Sequence, residues 1–295
     1  MRIGIIGGGA IGLLFASRLG EIHKINLYCR RQEQVDSIKK QGLYLNGNLL
    51  PKDRVWAKTT EEDIEEVDLF IIATKQYHLP TLLPFLGKIP QHIPLLFLQN
   101  GMGHLDYIED LPHTTIIVGV VEHGSLKQSE NKVDHTGMGV TRIAIYRGSM
   151  EKLQSIFLKL NSPSFPFTLE LDYYDMLSRK LVINAIINPL TAIFQVKNGV
   201  LLKNPHFFEL MKELFYEVDL VLKLKEPERI FEQVVSVCEK TGENESSMFR
   251  DLKLGRKTEI DAIIGYLLKE GEKRQVDTKL LKFLYFAIKG LERKE

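Results

Sequence analysis

At 295 residues, with 44% hydrophobic and 26% charged residues, the chain has an ordinary globular composition and is long for a single core, so two domains are expected. Its net charge of +1 supplies no field suited to nucleic acid or an acidic surface as partner. The two cysteines, Cys29 and Cys238, fit no metal or redox spacing, which argues against a disulfide-stapled secreted scaffold and suits a reducing cytoplasm.

In chain order, the strand Arg2–Ile6 and the helix Ala10–Leu19 come first. The apolar run they share is broken by Gly7, Gly8, Gly9 and Gly12, so it is read as fold rather than as a secretory signal. No stretch reaches the roughly 20 apolar residues that span a bilayer, and no membrane partner is expected. Further strands are Ile25–Cys29, Asp68–Thr74, Pro94–Gln99 and Thr115–Val121, with a helix over Tyr77–Leu86. Near-continuous apolar strands alternating with helices predict an α/β fold with a Rossmann-type, doubly wound parallel sheet. Lys132–Tyr146 reads as a hairpin of two short strands around Thr136-Gly137-Met138-Gly139, added at the sheet edge. A helix over Met150–Leu160 follows, and the two prolines of Asn161–Phe167 mark the domain boundary. That gives a nucleotide domain of residues 1–166 and a second domain of 167–295. The second is all-α, with helices over Tyr174–Ile187, His206–Leu224, Glu226–Thr241, Thr258–Glu270 and Asp277–Leu291.

Gly7-Gly8-Gly9-Ala10-Ile11-Gly12 fits G-x-G-x-x-G between a strand and a helix. Gly7 permits the tight turn, Gly9 lets backbone approach a pyrophosphate, and Gly12 allows close helix–strand packing. The helix N-terminus then presents free N–H groups to the anion. The next strand ends Tyr28-Cys29-Arg30-Arg31, without the acid that accepts hydrogen bonds from the ribose hydroxyls of NAD. Guanidinium suits a 2′-phosphate instead, so the cofactor expected is NADPH.

In Ser178–Leu190, Lys180, Asn184 and Asn188 recur every fourth residue and fall within about 80° of one another on a helix. Leu181, Val182, Ile183, Ala185, Ile186 and Ile187 cover almost every other direction, so this is a buried helix with one polar stripe, which should face a cleft. Pro189 is expected to kink or end it. A second polar cluster is Asn244-Glu-Ser-Ser-Met248 with Thr258-Glu-Ile-Asp261. Taken alone, Ser246 or Ser247 reads as a helix N-cap and Glu259 as a first-turn acid.

Together these residues resemble the ketopantoate reductase family over essentially the whole chain. The resemblance adds Thr74-Lys75, Asn100-Gly101-Met102-Gly103 and His135-Thr136-Gly137-x-Gly139 to the phosphate turn. Its most specific parts are Lys180-x-x-x-Asn184-x-x-x-Asn188-Pro189 and the pair Ser246-Ser247-Met248 with Thr258-Glu259-Ile260-Asp261. It implies NADPH-dependent reduction of ketopantoate to pantoate, in pantothenate biosynthesis, in a cleft between the domains. Lys180 would protonate the ketone oxygen as hydride arrives, and Glu259 would hold the substrate hydroxyl and help position Lys180. Asn184, Asn188 and Ser247, with Asn244 behind them, would bind the carboxylate and hydroxyl. Asn100 would contact the nicotinamide ribose and border the substrate, while Glu259 and Lys75 would lie beside both ligands. Arg30 would meet the 2′-phosphate, with Arg31 as the neighbouring candidate. Val121-Glu-His-Gly124 departs from the family's usual small-residue run, and Glu122 adds an acid there. Alternative readings are a reductase of another 2-keto acid and a non-catalytic NADPH sensor, the latter disfavoured by the complete lysine, asparagine, serine and glutamate set. Monomer and homodimer remain open.

Overall fold

The structure, a computed structural model, describes residues 1–51 and 53–293. The chain divides into two compact units. One comprises Met1–Gln99 and Asp106–Met176, the other Asn100–Leu105 and Leu177–Glu295.

The first unit runs β1 (Arg2–Ile6), α1 (Ala10–Gly20), β2 (Lys24–Cys29), α2 (Gln32–Gln41), β3 (Tyr44–Leu45), β4 (Asn48–Leu49), β5 (Val55–Thr59) and β6 (Leu69–Ile72). After these come α3 (Leu79–Leu86), β7 (Leu95–Phe97), α4 (Leu105–Ile108), β8 (Ile116–Val121), β9 (Gly124–Ser129), β10 (Lys132–Gly137), β11 (Thr141–Arg147), α5 (Met150–Leu160) and β12 (Phe167–Glu170). Among the described residues the main sheet has eight strands in the order β12-β11-β8-β7-β6-β1-β2-β5. Its pairings are parallel except β11 against β8. Ile3, Ile5, Leu27, Leu69 and Ile71 are wholly buried, as strands covered on both faces require. Leaving water stabilises each such side chain by about 1.5–3 kcal/mol.

Two expectations change here. The strands of Lys132–Tyr146 do not pair with each other: β10 pairs with β9 and β3 in a separate four-stranded sheet, whereas β11 joins the main sheet between β8 and β12. Local turn chemistry suggested a hairpin, and long-range partners decided otherwise. The boundary also moves. Phe167–Glu170 forms β12, in parallel register with β11, so the first unit extends past residue 166 to Met176. The prolines mark only the connection into that edge strand.

A ring stack fastens the small sheet to α1. Arg18 Nε and Nη2 lie 3.1 and 2.9 Å from His135 Nδ1, and since guanidinium only donates, Nδ1 accepts. His135 Nε2 then donates to His123 Nδ1 at 3.2 Å, where the Gly139 N–H also donates at 3.1 Å. His123 stacks on Phe165 with ring centroids 4.4 Å apart. Burial first, then His135 and Arg18, push its pKa from 6.5 down to about 4. Unfolding therefore takes up a proton at His123 in that window, so its contribution to stability is whole above pH 6.5 and disappears as pH falls toward 4. Allowing for solvent screening, the loss is about 2 kcal/mol. Denaturant titrations at both pH values should show a smaller loss in His123→Phe than in the parent chain; equal losses would remove His123 from the acid response.

Among the described residues the regular elements of the second unit are all helices: α6 (Tyr173–Phe194, from Leu177 onward), α7 (Val200–Lys203), α8 (Pro205–Leu222), α9 (Pro227–Lys240), α10 (Ser247–Lys253), α11 (Ile260–Lys273) and α12 (Lys279–Glu292). Pro189 lies inside α6 and does not end it. The following turn is held by the Thr191 hydroxyl, which donates to Ile187 O at 2.7 Å. Among the described residues no helix is long and apolar enough to cross a membrane.

Candidate functional site

In the main sheet the chain builds β1, β2 and β5 toward one edge, then β6, β7 and β8 toward the other. Ligands of such sheets bind at the carboxyl ends where the order reverses, here beyond β1 and β6. The glycine turn sits at that point. Gly7 has φ +117°, and a Cβ there would lie 3.0 Å from the Ala73 and Thr74 backbone beyond β6. A Cβ on Gly12 would lie 1.7 Å from Gly7 O, so the helix can start this close to the turn only with glycine there. A Cβ on Gly9 would meet nothing within 4 Å, which leaves its backbone open to approach. Ala10 and Ile11 open α1, whose N-terminus carries no side-chain cap. Uncapped N–H groups, the positive dipole end and an open backbone fit a pyrophosphate.

The two arginines after β2 differ. Both are exposed, but Arg31 is ion-paired with Glu130, from the turn between β9 and β10. Among the described residues no ion pair or hydrogen bond engages the Arg30 side chain. Arg30 is therefore the guanidinium available to a phosphate at this strand end.

Lys75 is half-buried and precedes a single 3₁₀ turn, Gln76–His78. The strand end that delivers it is clamped by Gln99, whose Nε2 donates to Ile72 O and Thr74 O, both at 2.9 Å. Gln99 is buried and was not singled out from sequence, although a lone amide closing an apolar strand beside Asn100 is a readable signal.

Within the helical unit, α6 carries Lys180 half-buried and Asn184 and Asn188 buried. Asn188 Nδ2 lies 3.5 Å from Ser247 Oγ. The capping role belongs to Ser246, whose hydroxyl accepts from Phe249 N at 3.1 Å and lies 2.8 Å from Thr191 Oγ1. Ser247, the first residue of α10, is exposed. Asn244 is exposed too, and its backbone N–H donates to Thr241 O at 2.8 Å. Glu259 is buried just before α11 and makes no capping bond; Thr258 Oγ1 accepts from Ile260 N instead, at 3.2 Å. The Glu259 carboxylate accepts from Asn100 Nδ2 at 2.9 Å. Asn100 is brought there by Gly101, whose φ is +76° and whose Cβ would lie 2.1 Å from Ala262 O. The structure thus joins Asn188 to Ser247 and Asn100 to Glu259, and sets Lys180 one helical turn before Asn184.

Amides and a hydroxyl of this kind can bind a carboxylate or alcohol, a carboxylate can hold a hydroxyl, and an ammonium can supply a proton. Glu122 belongs to a different network: it accepts from Arg142 Nε at 3.0 Å, and Arg142 Nη1 donates to Glu170 at 2.8 Å, which ties β8, β11 and β12 together. Both cysteines are buried, and burial pushes each thiol up to about 12, so neither offers a thiolate near neutral pH. Among the described residues no group of three or more His, Cys, Asp or Glu is placed to hold a metal.

Comparison with known proteins agrees over both units. Residues 3–148 match the family described as ketopantoate reductase PanE/ApbA, and residues 172–292 match its C-terminal counterpart. The 2-dehydropantoate 2-reductase of Bacillus subtilis (strain 168) is 43% identical over 99% of this chain and 98% of its own. The crystal structure of the probable 2-dehydropantoate 2-reductase panE from Bacillus subtilis superposes with TM-score 0.89 at 42% identity, covering 99% of this chain and 100% of that one. A ternary structure of D-mandelate dehydrogenase with NADH and anilino(oxo)acetate gives TM-score 0.90 at 26% identity, over 99% and 98%. Matches to both family models, with identity sustained along the full length, mean that this chain belongs to the PanE/ApbA ketopantoate reductase family.

Proposed function

We propose that the protein is an NADPH-dependent 2-dehydropantoate 2-reductase, which reduces the ketone of ketopantoate to the alcohol of pantoate. The observation that carries the reading is full-length identity to such a reductase in a chain whose lysine, asparagine, serine and glutamate set is complete. Bound NADPH supplies a hydride to the ketone carbon. Lys180 protonates the ketone oxygen and stabilises the negative charge that grows there. Glu259 holds the substrate hydroxyl and helps position Lys180. Asn184, Asn188, Ser247 and Asn244 bind the substrate's carboxylate and hydroxyl. Asn100, fixed by Glu259, contacts the nicotinamide ribose, Lys75 borders cofactor and substrate, and Gly7–Gly12 receive the pyrophosphate. Buried, unpaired thiols suit work in the cytoplasm.

A second reading, reduction of an aryl 2-keto acid, is favoured by the D-mandelate dehydrogenase superposition. Fold likeness does not separate the two, because substrate choice lives in pocket side chains. An NADPH-oxidation panel of ketopantoate, 2-ketoisovalerate, pyruvate, oxaloacetate and phenylglyoxylate does. Ketopantoate should give the highest kcat/KM. Preference for phenylglyoxylate would replace the substrate and keep the reductase; no turnover on any member would leave an NADPH-binding sensor.

A further inference from the structure

The carbonyl of Gly8, in the middle of the phosphate turn, is held by side chains from two different elements. Gln34 Nε2 donates to it at 2.8 Å and Lys127 Nζ at 3.1 Å. Lys127 also donates to Glu130 Oε2 at 2.9 Å, while Arg31 pairs with Glu130 Oε1. Gln34 Nε2 donates in addition to the Glu130 backbone carbonyl at 2.8 Å. A polar path therefore runs from Gly8 through Lys127 and Glu130 to Arg31, linking the turn that receives pyrophosphate to the strand end that carries the arginines. All of its members lie in the first unit.

The charges along this path matter more than its bond count. An ordinary surface ion pair contributes little, but Glu130 sits beside the strand end where a 2′-phosphate is read. Burial works to raise the pKa of Glu130, and the hydrogen bonds from Lys127 and Arg31 outweigh it, so the carboxylate stays ionised. An uncompensated carboxylate there would repel a phosphate dianion. With Lys127 and Arg31 both present the trio carries one net positive charge; without Lys127 it carries none.

We propose that Lys127 and Glu130 form a charge-balanced strut that sets cofactor selectivity: Lys127 pins the Gly8 carbonyl and neutralises Glu130, and Glu130 occupies Arg31, so that a 2′-phosphorylated dinucleotide meets a net positive strand end. The inference rests on reading this site as one for NADPH. Lys127 and Glu130 act here as positioning residues, through the turn and through Arg31.

The test is fluorescence titration of the full chain with NADPH and with NADH, in the absence of keto acid. Lys127→Met should weaken NADPH about fivefold and NADH at most about twofold, and Lys127→Arg should stay close to the parent. The double variant Lys127→Met with Glu130→Gln restores the net positive charge and should recover NADPH affinity to within about twofold. Glu130→Gln alone, which spares Lys127 should its loss impair folding, should raise the preference for NADPH over NADH by about threefold. Equal weakening of both dinucleotides by Lys127→Met would make the strut a purely structural brace and overturn the proposal. An unchanged NADPH affinity, or no recovery in the double variant, would do the same. Failure of the parent chain to bind NADPH would overturn the cofactor reading along with it, so the two failures are distinguishable.

Discussion

Lys180→Ala is expected to lower turnover of ketopantoate at least a hundredfold while leaving NADPH binding little changed. Removing a positioned general acid costs about 10²–10⁴ in rate, and a hundredfold corresponds to about 2.7 kcal/mol of transition-state stabilisation. The loss falls on kcat because the proton and the positive charge are needed most as the ketone oxygen becomes an alkoxide. Glu259→Ala should behave differently. Its carboxylate holds Asn100 and is proposed to hold the substrate hydroxyl, so KM for ketopantoate should rise more than kcat falls. Single-turnover measurements under saturating NADPH separate these effects. Near-normal turnover in Lys180→Ala would take lysine out of the mechanism.

Arg30→Ala is expected to raise the KM for NADPH at least tenfold and to leave NADH use almost untouched. A hydrogen bond to a charged group contributes about 1.5–3 kcal/mol, or roughly tenfold to a hundredfold in affinity. The ranking of the arginines follows from their surroundings: Arg31 is committed to Glu130, so Arg31→Ala should cost less than Arg30→Ala. Because Arg30 is exposed, added salt should weaken NADPH more than NADH. Initial rates with both dinucleotides, at low and high salt, check all three statements. A parent enzyme that uses NADH as readily as NADPH would refute this reading of the strand end.

The core strands were legible because strands covered on both faces are written as unbroken apolar runs, as in Arg2–Ile6 and Leu69–Ile72. Val55–Thr59 escaped notice because it is an edge strand with only Ala57 buried, and an edge needs little apolar sequence. Gly124–Ser129 escaped for a related reason: no residue in it is buried. The Thr136–Gly139 run showed the opposite fault: its glycines suggested a hairpin turn, but Thr136 and Gly137 end β10, and β10 and β11 find their partners in different sheets. The stripe of Lys180, Asn184 and Asn188 was visible in spacing alone, because helical period carries orientation with it. Ser247 and Glu259 were not assignable without the family resemblance, since Ser247 has a plausible capping role and Glu259 a plausible role as a first-turn acid; the structure gives the cap to Ser246 and places Glu259 just before α11, without a capping bond. Lys127 and Gln34 had no signal at all. Their common partner is a backbone carbonyl far away in sequence, and no side-chain pattern announces that.

The short segment Asn100–Leu105 belongs to the helical unit, although the residues on either side of it belong to the other. Asn100 binds Glu259, Gly101 lies against Ala262, and the Met102 sulfur receives the Ser178 hydroxyl at 3.7 Å. The helical unit is consequently not a transplantable module. A gene fragment starting at Leu177 would encode every helix of that unit and still omit a piece of its interior, including the wholly buried Met102. Chimeras joined at a single crossover between family members would mismatch that inserted piece with its surroundings. During synthesis, too, the segment leaves the ribosome long before α11, so its final contacts are completed only near the end of translation. Exchange of parts within this architecture calls for two coordinated replacements, one of them six residues long.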